Sequence, residues 1–364
     1  MTNIDGFYIE TSNILKEIIE KGGTIRNICY KKSQPAKYIA LLQNVLTNYR
    51  KIKSIVKETG LFIKNKYLSV ILCYEMLENR VFLKEYSDLI IKIKEQNIDL
   101  ISYKPKKVFV RINKLKKNTN VLEGFDVLRT DIPDVYEILN DTLLYRNEFY
   151  KKYFFYIQNV VTCIPPYILN PGKRSFVVDC CAAPGNKTTH LSMLMNNKGK
   201  IYAFEKDKQR YKILKENVLN SGANNINTKC MDFLRTDPLD YKEVTHILAD
   251  PSCTGSGLHP YYQKNTERIK KLSNFQKMLL NHCFKFPSVH KIVYSTCSIH
   301  EEENEEVVKE VLEKNPDFKL KKIRRMCSGK RGNKSYNFYK KVLKFYPSLE
   351  LGTIGFFVAF FKRK

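Results

Sequence analysis

The chain has 364 residues, 43% of them hydrophobic, and carries 63 Lys and Arg against 37 Asp and Glu, a formal net charge of +26. That length exceeds one ordinary core and predicts two or three domains, while the composition excludes a disordered chain and no apolar run is long enough to cross a bilayer. The charge favours an anionic partner, nucleic acid ahead of an acidic membrane; the competing source is an AT-rich genome that enriches Lys and Asn. The first ten residues are polar and lack a signal-peptide core, so the ten cysteines do not read as a disulfide scaffold. No pair shows C-x-x-C spacing and His282-Cys283 has no partner pair, which argues against zinc.

In chain order, residues 1–100 read as helical. "YLSVILCYEMLENRVFLKEYSDLIIKIKEQ" places apolar residues at three- and four-residue steps without Gly or Pro, and Pro105 ends the region. Residues 101–150 read as a small α+β, RRM-like subdomain. Its strand Val108-Phe109-Val110 is framed by Lys106, Lys107, Arg111, Lys114, Lys116 and Lys117, a pattern suited to RNA contact or to a solvated edge strand. From 151 to 364 short apolar strands alternate with helices: "SFVVDCC", "KIYAFE", "THILAD" and "KIVYSTC" are separated by helical stretches, and "GFFVAFF" closes the chain. This predicts an open, mainly parallel, doubly wound α/β sheet, which binds ligands at its strand C-termini. "MCSGKRGNKSYNFYKK" reads as a basic insertion before the last strand.

The loop "DCCAAPGNKTTHL" follows the first strand of that sheet. Ala182, Ala183, Pro184 and Gly185 permit a tight turn and close approach of a ligand, but the loop is not G-x-G-x-x-G, so a dinucleotide fits poorly. Glu205 ends the next strand, 26 residues after Asp179, where an acid accepts ribose hydroxyls. Arg210 shares that rim and Asp232 suits an adenine edge. A ribose-bearing cofactor without a diphosphate is expected, and S-adenosylmethionine is such a molecule.

Two further strand ends carry thiols: "ILADPSCTGSG" with Asp250 and Cys253, and "VYSTCS" with Cys297. The small residues Ser252, Thr254, Gly255, Ser256 and Gly257 are expected to leave room for an extruded base. C5 of cytosine is a poor nucleophile until a thiolate adds to C6. The reaction then needs an acid partner for the base and a group that promotes release. Cys297, Asp250 and Cys253 supply those types. Cys180, Cys230 and Cys283 are expected to be buried packing residues.

"CAAPGNKT", "DPSCTGSG" and "STCS…EENE" resemble the signature motifs of the Nol/Nop/Sun RNA (cytosine-5) methyltransferases, over about residues 105 to 364. The resemblance implies a Rossmann-like class I S-adenosylmethionine-dependent methyltransferase sheet, with an N-terminal helical region and a small α+β RNA-binding subdomain. It implies Cys297 as nucleophile and Cys253 as the thiol that assists release. Cys181, Ala182, Ala183, Pro184, Gly185, Asn186 and Lys187 then form the cofactor loop, and Glu205, Arg210, Asp232 and Asp250 complete the cofactor and base pocket. The commoner pattern is Asp-Ala-Pro-Cys, where this chain has Asp250-Pro251-Ser252-Cys253, and the commoner loop is Pro-Gly-Gly-Lys, where it has Asn186. Both variants resemble the Rcm1-like branch, which implies large-subunit rRNA as substrate and a nucleolar site of action.

Ser298-x-x-Glu301 reads as a capping box, with Glu301, Glu302 and Glu303 in the first helical turn and Val307, Val308 and Val311 on the apolar face before Asn315-Pro316. A catalytic role for one of these glutamates is the second reading. Three other functions stay open: a tRNA cytosine-5 methyltransferase, a ribosome-assembly factor that acts by binding RNA, and a DNA methyltransferase using Cys253.

Overall fold

The computed structural model describes residues 4–21, 25–29, 32–95, 100, 107–117, 120–139, 144–258, 264–348 and 350–364. It divides into two units, Met1–Lys104 with Pro260–Asn265, and Pro105–His259 with Thr266–Lys364.

The first unit is helical: α1 (Gly6–Lys21), α2 (Ile25–Cys29), α3 (Pro35–Thr47), α4 (Tyr49–Glu58), α5 (Lys66–Leu77) and α6 (Ser87–Glu95). Helix α5 is apolar on every side and buried from Tyr67 to Met76, so it is the element the others surround. Asn65 caps it, accepting from Tyr67 N at 3.0 Å and Leu68 N at 2.9 Å. The helical periodicity that starts at Tyr67 does not run on unbroken into α6. Asn79 takes a left-handed φ of 58°, and the amides of Arg80 and Val81 return to the Glu75 carbonyl. The Arg80 guanidinium meets the buried Glu75 carboxylate at 3.1 Å, a local end signal that hydrophobic periodicity does not carry.

The second unit holds two sheets. The smaller is antiparallel, in the order β2-β3-β1-β4, from β1 (Val108–Ile112), β2 (Val127–Arg129), β3 (Val135–Ile138) and β4 (Phe155–Ile157), with α7 (Glu148–Lys151) before β4. The expected basic face of β1 is only partly there. Arg111 is fully buried. Its Nε donates to Gln158 Oε1 and its Nη2 to Asn186 O and Thr189 Oγ1, each at 3.1 Å, and it lies 4.4 Å over the Tyr156 ring. Lys107 pairs with Glu137 at 3.0 Å and Lys114 with Asp134 at 2.6 Å, while Lys116 donates to the Lys152 carbonyl. Lys106 lies outside the described residues.

The larger sheet comprises β5 (Phe176–Asp179), β6 (Lys200–Phe204), β7 (Ile226–Lys229), β8 (His246–Ala249), β9 (Lys291–Thr296), β10 (Phe318–Leu320), β11 (Leu343–Phe345) and β12 (Phe356–Arg363). Its order is β10-β12-β9-β8-β5-β6-β7, with β11 beside β12; strands β5 to β9 are parallel and β10 to β12 antiparallel. Helices α8 (Ile164–Leu169), α9 (Asn186–Leu194), α10 (Lys208–Ser221), α11 (Thr266–Phe284) and α12 (Glu305–Lys314) alternate with the strands. Successive residues enter different cores: Val178, Tyr202, Ile247 and Ile292 join one, Val177, Ile201, Leu248 and Val293 the other. Burial on both faces explains why these strands read as continuous apolar runs.

Replacing Arg111 with Ala strands three acceptors, Gln158, Asn186 O and Thr189, and removes a packed side chain. Arg111→Ala is expected to lower stability by roughly 3 kcal/mol, read as a lower urea midpoint of the full chain. An unchanged midpoint contradicts a structural role for this cation.

Candidate active site

The residues singled out at strand ends stand at the C-terminal edge of the parallel strands: Asp179 closes β5, Glu205, Asp250 and Cys297 directly follow β6, β8 and β9, and Asp232 and Cys253 lie in the loops after β7 and β8. After β5 the chain turns through Cys181 to Gly185, with a cis peptide at Ala183–Pro184, and α9 begins at Asn186. Gly185 has φ of 103°, a conformation that favours glycine, and a Cβ there would press on Leu214 Cδ1 at 3.1 Å and Asn217 Nδ2 at 3.3 Å. Arg210 fixes the loop by donating to Ala183 O at 2.7 Å, and Asn217 does so through Pro184 O at 2.9 Å and Asn186 Oδ1 at 3.0 Å. Asn186 sits in the first helical turn, where no left-handed backbone is needed.

Glu205 is buried. Its Oε1 takes the Asp207 amide at 2.9 Å, while Oε2 faces Arg210 Nη1 at 3.5 Å and has no hydrogen-bond partner among the described residues. Asp179 accepts the Thr188 hydroxyl at 2.8 Å through Oδ2, and its Oδ1 is likewise unsatisfied among the described residues. A buried acceptor at the end of β6, beside a tight loop opening a helix, fits a ribose hydroxyl. Asp232 caps a short 3-10 turn through Leu234 N at 3.1 Å, with Lys206 at 4.0 Å.

The two thiols meet. Cys253 Sγ and Cys297 Sγ are 2.8 Å apart across the ends of β8 and β9. The Cys297 hydrogen bond and burial raise the Cys253 thiol well above its ordinary value. Asp250 lies beside them, its Oδ2 held by Lys187 Nζ at 2.5 Å and its Oδ1 by Ser295 Oγ at 2.5 Å. Burial pulls the Lys187 ammonium down, but Asp250, with Cys297 and Asp179 nearby, outweighs it and the net direction is up.

The small residues after Cys253 do different work from the one expected. Thr254 and Ser256 are buried and bonded to one another and to Ser298. A Cβ on Gly257 would lie 2.1 Å from Gly355 O, so this glycine serves a crossing of two backbones.

The acidic run also departs from the capping box. Glu301–Glu303 form a 3-10 turn, α12 starts at Glu305, and its N-cap Asn304 makes no side-chain cap bond. Ser298 Oγ instead accepts the His300 amide at 3.1 Å. Asn304 is used elsewhere, taking Thr296 Oγ1 at 2.5 Å and giving to Ser298 O at 2.9 Å. Glu303 is fully buried and accepts Thr254 N at 2.9 Å, Thr254 Oγ1 at 2.6 Å and Gln276 Nε2 at 3.0 Å. Glu305, also buried, holds Lys344 of β11 through both oxygens at 3.1 Å. Val307, Val308 and Val311 do form the buried face of α12. Cys180 and Cys283 are buried with sulfurs 3.7 Å apart, whereas Cys230 is exposed.

Sequence reasoning missed Ser295 and Gln276. Both carry a weak signal: Ser295 is a polar residue inside an apolar strand, and Gln276 is a polar residue on the helical face that buries Ile269, Leu279, Leu280 and Cys283. Among the described residues no group of His, Cys, Asp or Glu is arranged to hold a metal, and no helix is long and apolar enough to cross a membrane.

Asp179 gives a pH signature. Burial outweighs the Thr188 hydrogen bond and, with Asp250 nearby, lifts its carboxyl to about 7. A raised carboxylate is neutral to stability below its unfolded value near 4 and increasingly unfavourable as pH climbs to 7. Asp179→Asn should therefore gain more stability at pH 8 than at pH 5, by roughly 2 kcal/mol, in urea titrations. An equal gain at both values overturns the assignment.

A family model described as 16S rRNA methyltransferase RsmB/F matches residues 166–362. The 25S rRNA (cytosine-C(5))-methyltransferase rcm1 of Schizosaccharomyces pombe is 31% identical over 97% of this chain and 90% of its own length. The 28S rRNA (cytosine-C(5))-methyltransferase of Mus musculus is 36% identical over 64% of this chain, which spans about half, 52%, of that relative. Among solved structures, a methyltransferase homolog protein from Pyrococcus horikoshii superposes with a TM-score of 0.63 at 25% identity, covering 86% of this chain and 99% of that one. With the match running through the strand ends that carry both thiols, the chain belongs to the RsmB/F family of RNA methyltransferases.

Proposed function

We propose that the protein methylates C5 of a cytosine in large-subunit rRNA, using S-adenosylmethionine. The observation that carries this is the thiol pair at 2.8 Å beside a carboxylate tethered by Lys187 and Ser295. The near full-length similarity to a 25S rRNA enzyme supports the substrate.

The cofactor supplies a methyl group on a sulfonium. Cys181 to Lys187, Glu205, Arg210, Asp232 and Asp250 would hold it, with the unsatisfied Glu205 oxygen facing the ribose. Cys297 adds as thiolate to C6, forming a C–S bond and placing the electron pair of the C5–C6 double bond at C5. Asp250, fixed by its two partners, orients the base edge. After methylation the C5 proton leaves, the electron pair re-forms C5–C6, and the Cys297–C6 bond breaks. Cys253 promotes that last stage. The site of action is the nucleus, in ribosome biogenesis, and the nucleolus within it.

Cations facing solvent at Lys321, Lys322, Arg324 and Arg325 form the RNA-backbone contact in this reading. Changing all four to Gln should reduce the slope of log affinity against log salt by about 0.7 for each phosphate that the variant no longer neutralises, leaving cofactor affinity unchanged. The same slope in the variant makes this segment plain surface.

The chemistry is tested on one denaturing gel with labelled RNA. Cys297→Ala should form no covalent adduct and transfer no methyl group. Cys253→Ala should attack and methylate but release slowly, accumulating a complex that survives denaturation. An adduct in Cys297→Ala with none in Cys253→Ala reverses the roles. For the substrate, rRNA from cells lacking the protein should lose a 5-methylcytosine; an unchanged large-subunit pattern turns attention to tRNA. Full rescue of such cells by Cys297→Ala means that RNA binding alone suffices.

A further inference from the structure

The cations of the second unit differ in what holds them. Lys107, Lys114 and Lys344 pair with carboxylates. Arg325 and Lys330 pair with none among the described residues, yet both line one cavity of about 340 Å³, which Asp131, Met326, Ser328 and Gly329 complete. That volume falls within the roughly 300–1,000 Å³ of small-ligand sites. The cavity wall is fixed. The turn after Met326 passes through two left-handed residues, Cys327 at φ 50° and Ser328 at φ 60°, and closes with Gly329 N on Met326 O at 2.9 Å. The Cys327 amide pins it to Asp131 Oδ2 at 2.6 Å. Lys330 then exchanges both backbone hydrogen bonds with Lys344 of β11, each at 2.9 Å. Two residues further on stands Tyr346, 47% exposed, with Lys330 Nζ 5.7 Å and Lys344 Nζ 6.0 Å from its ring centroid. Lys330 thus belongs both to the cavity and to an exposed aromatic ring.

The sheet places this ring beside the thiols. Strands β9 and β11 flank β12, and each is antiparallel to it, so they run in the same direction; Phe357 pairs with Thr296 on one side and with Lys344 on the other. Two strand spacings, roughly 10 Å, separate those two backbones. Tyr346 directly follows β11 and Cys297 directly follows β9, so both leave the sheet at one edge.

We propose that this edge binds an unpaired nucleotide flanking the target cytosine: its base stacks on Tyr346, its phosphate meets Arg325 and Lys330, and Asp131 accepts a ribose hydroxyl or a base N–H. Two cations alone would fit any anion. The carboxylate in the same cavity disfavours a bare anion and suits a ligand that brings hydrogen-bond donors with its phosphate. The exposed ring suits a flat base, which a single strand offers and a duplex keeps stacked. Contact with a flanking nucleotide also selects which base enters a flipping pocket. The proposal rests on the reading of an RNA cytosine as substrate and adds to it a specificity-determining contact.

The test titrates the full chain against a short fluorescein-labelled RNA, free of self-complementarity and with one central cytosine, and reads fluorescence anisotropy. Tyr346→Ala should weaken binding roughly tenfold, the scale of one lost base stack, with an unchanged salt slope. Tyr346→Phe keeps the ring and should bind as wild type does. Arg325→Gln with Lys330→Gln should lower the salt slope by about 0.7, one phosphate. A duplex of the same sequence should be insensitive to Tyr346→Ala. Wild-type affinity in a Tyr346→Ala protein that still binds cofactor overturns the inference, as do equal losses in the Ala and Phe variants. Should Tyr346→Ala not fold, the wild type decides: 5-iodouridine beside the cytosine should photocrosslink to Tyr346, and a crosslink elsewhere overturns the inference. Binding is read without methyl transfer, so failure here leaves the gel experiment standing, and that experiment alone decides whether Cys297 attacks cytosine.

Discussion

Asp250 is the point on which the site turns. It ends β8, and its two oxygens are each claimed by a different segment: Lys187 from the loop after β5, Ser295 from inside β9. One carboxylate thereby joins the loop after β5, the loop that carries Cys253 and strand β9. The ion pair is half-buried, so water does not screen it fully, and the hydroxyl satisfies the oxygen that the ammonium leaves. Parallel strands make the convergence possible, because adjacent strands of one direction bring consecutive C-termini to the same edge.

A second carboxylate has a different task. Glu303 lies deeper and, among the described residues, accepts from neutral donors. Burying a charge without an ion-pair partner costs folding energy unless several hydrogen bonds replace its hydration, and here three do. What the fold obtains is a rigid path for the loop after Cys253. Gly257 and Gly355 complete it, since their backbones cross where no Cβ fits. The Pro-Ser variant before Cys253 leaves the thiol in contact with Cys297.

The chain's large positive charge is spent unevenly. Arg111 is an internal brace between the small sheet and the start of α9, where the loop after β5 ends. Lys344 is buried against Glu305. Lys107 and Lys114 pair with acids on the neighbouring strand and turn. Lys321, Lys322, Arg324 and Arg325, by contrast, stand together and face solvent, where a polyanion is able to meet them. Net charge predicts the kind of partner, but it carries no information on which side chains face it.

The sequence by itself determined the strand ends. Short apolar runs alternating with helices require a doubly wound sheet, and such a sheet presents its chemistry at strand C-termini; Asp250, Cys253, Cys297, Glu205 and the Cys181 to Lys187 loop were legible for that reason. The apolar face of α12 was legible from spacing alone. Tertiary structure decided everything that depends on pairs remote in sequence. The burial of Arg111 needs Gln158, Asn186 and Thr189. The capping box failed because Ser298 and Asn304 found better-placed partners in the folded thiol loops, and Glu303 became a core acceptor rather than a dipole-facing surface charge. Local pattern specifies what a residue is able to bond; only packing decides which competing partner comes within 3 Å.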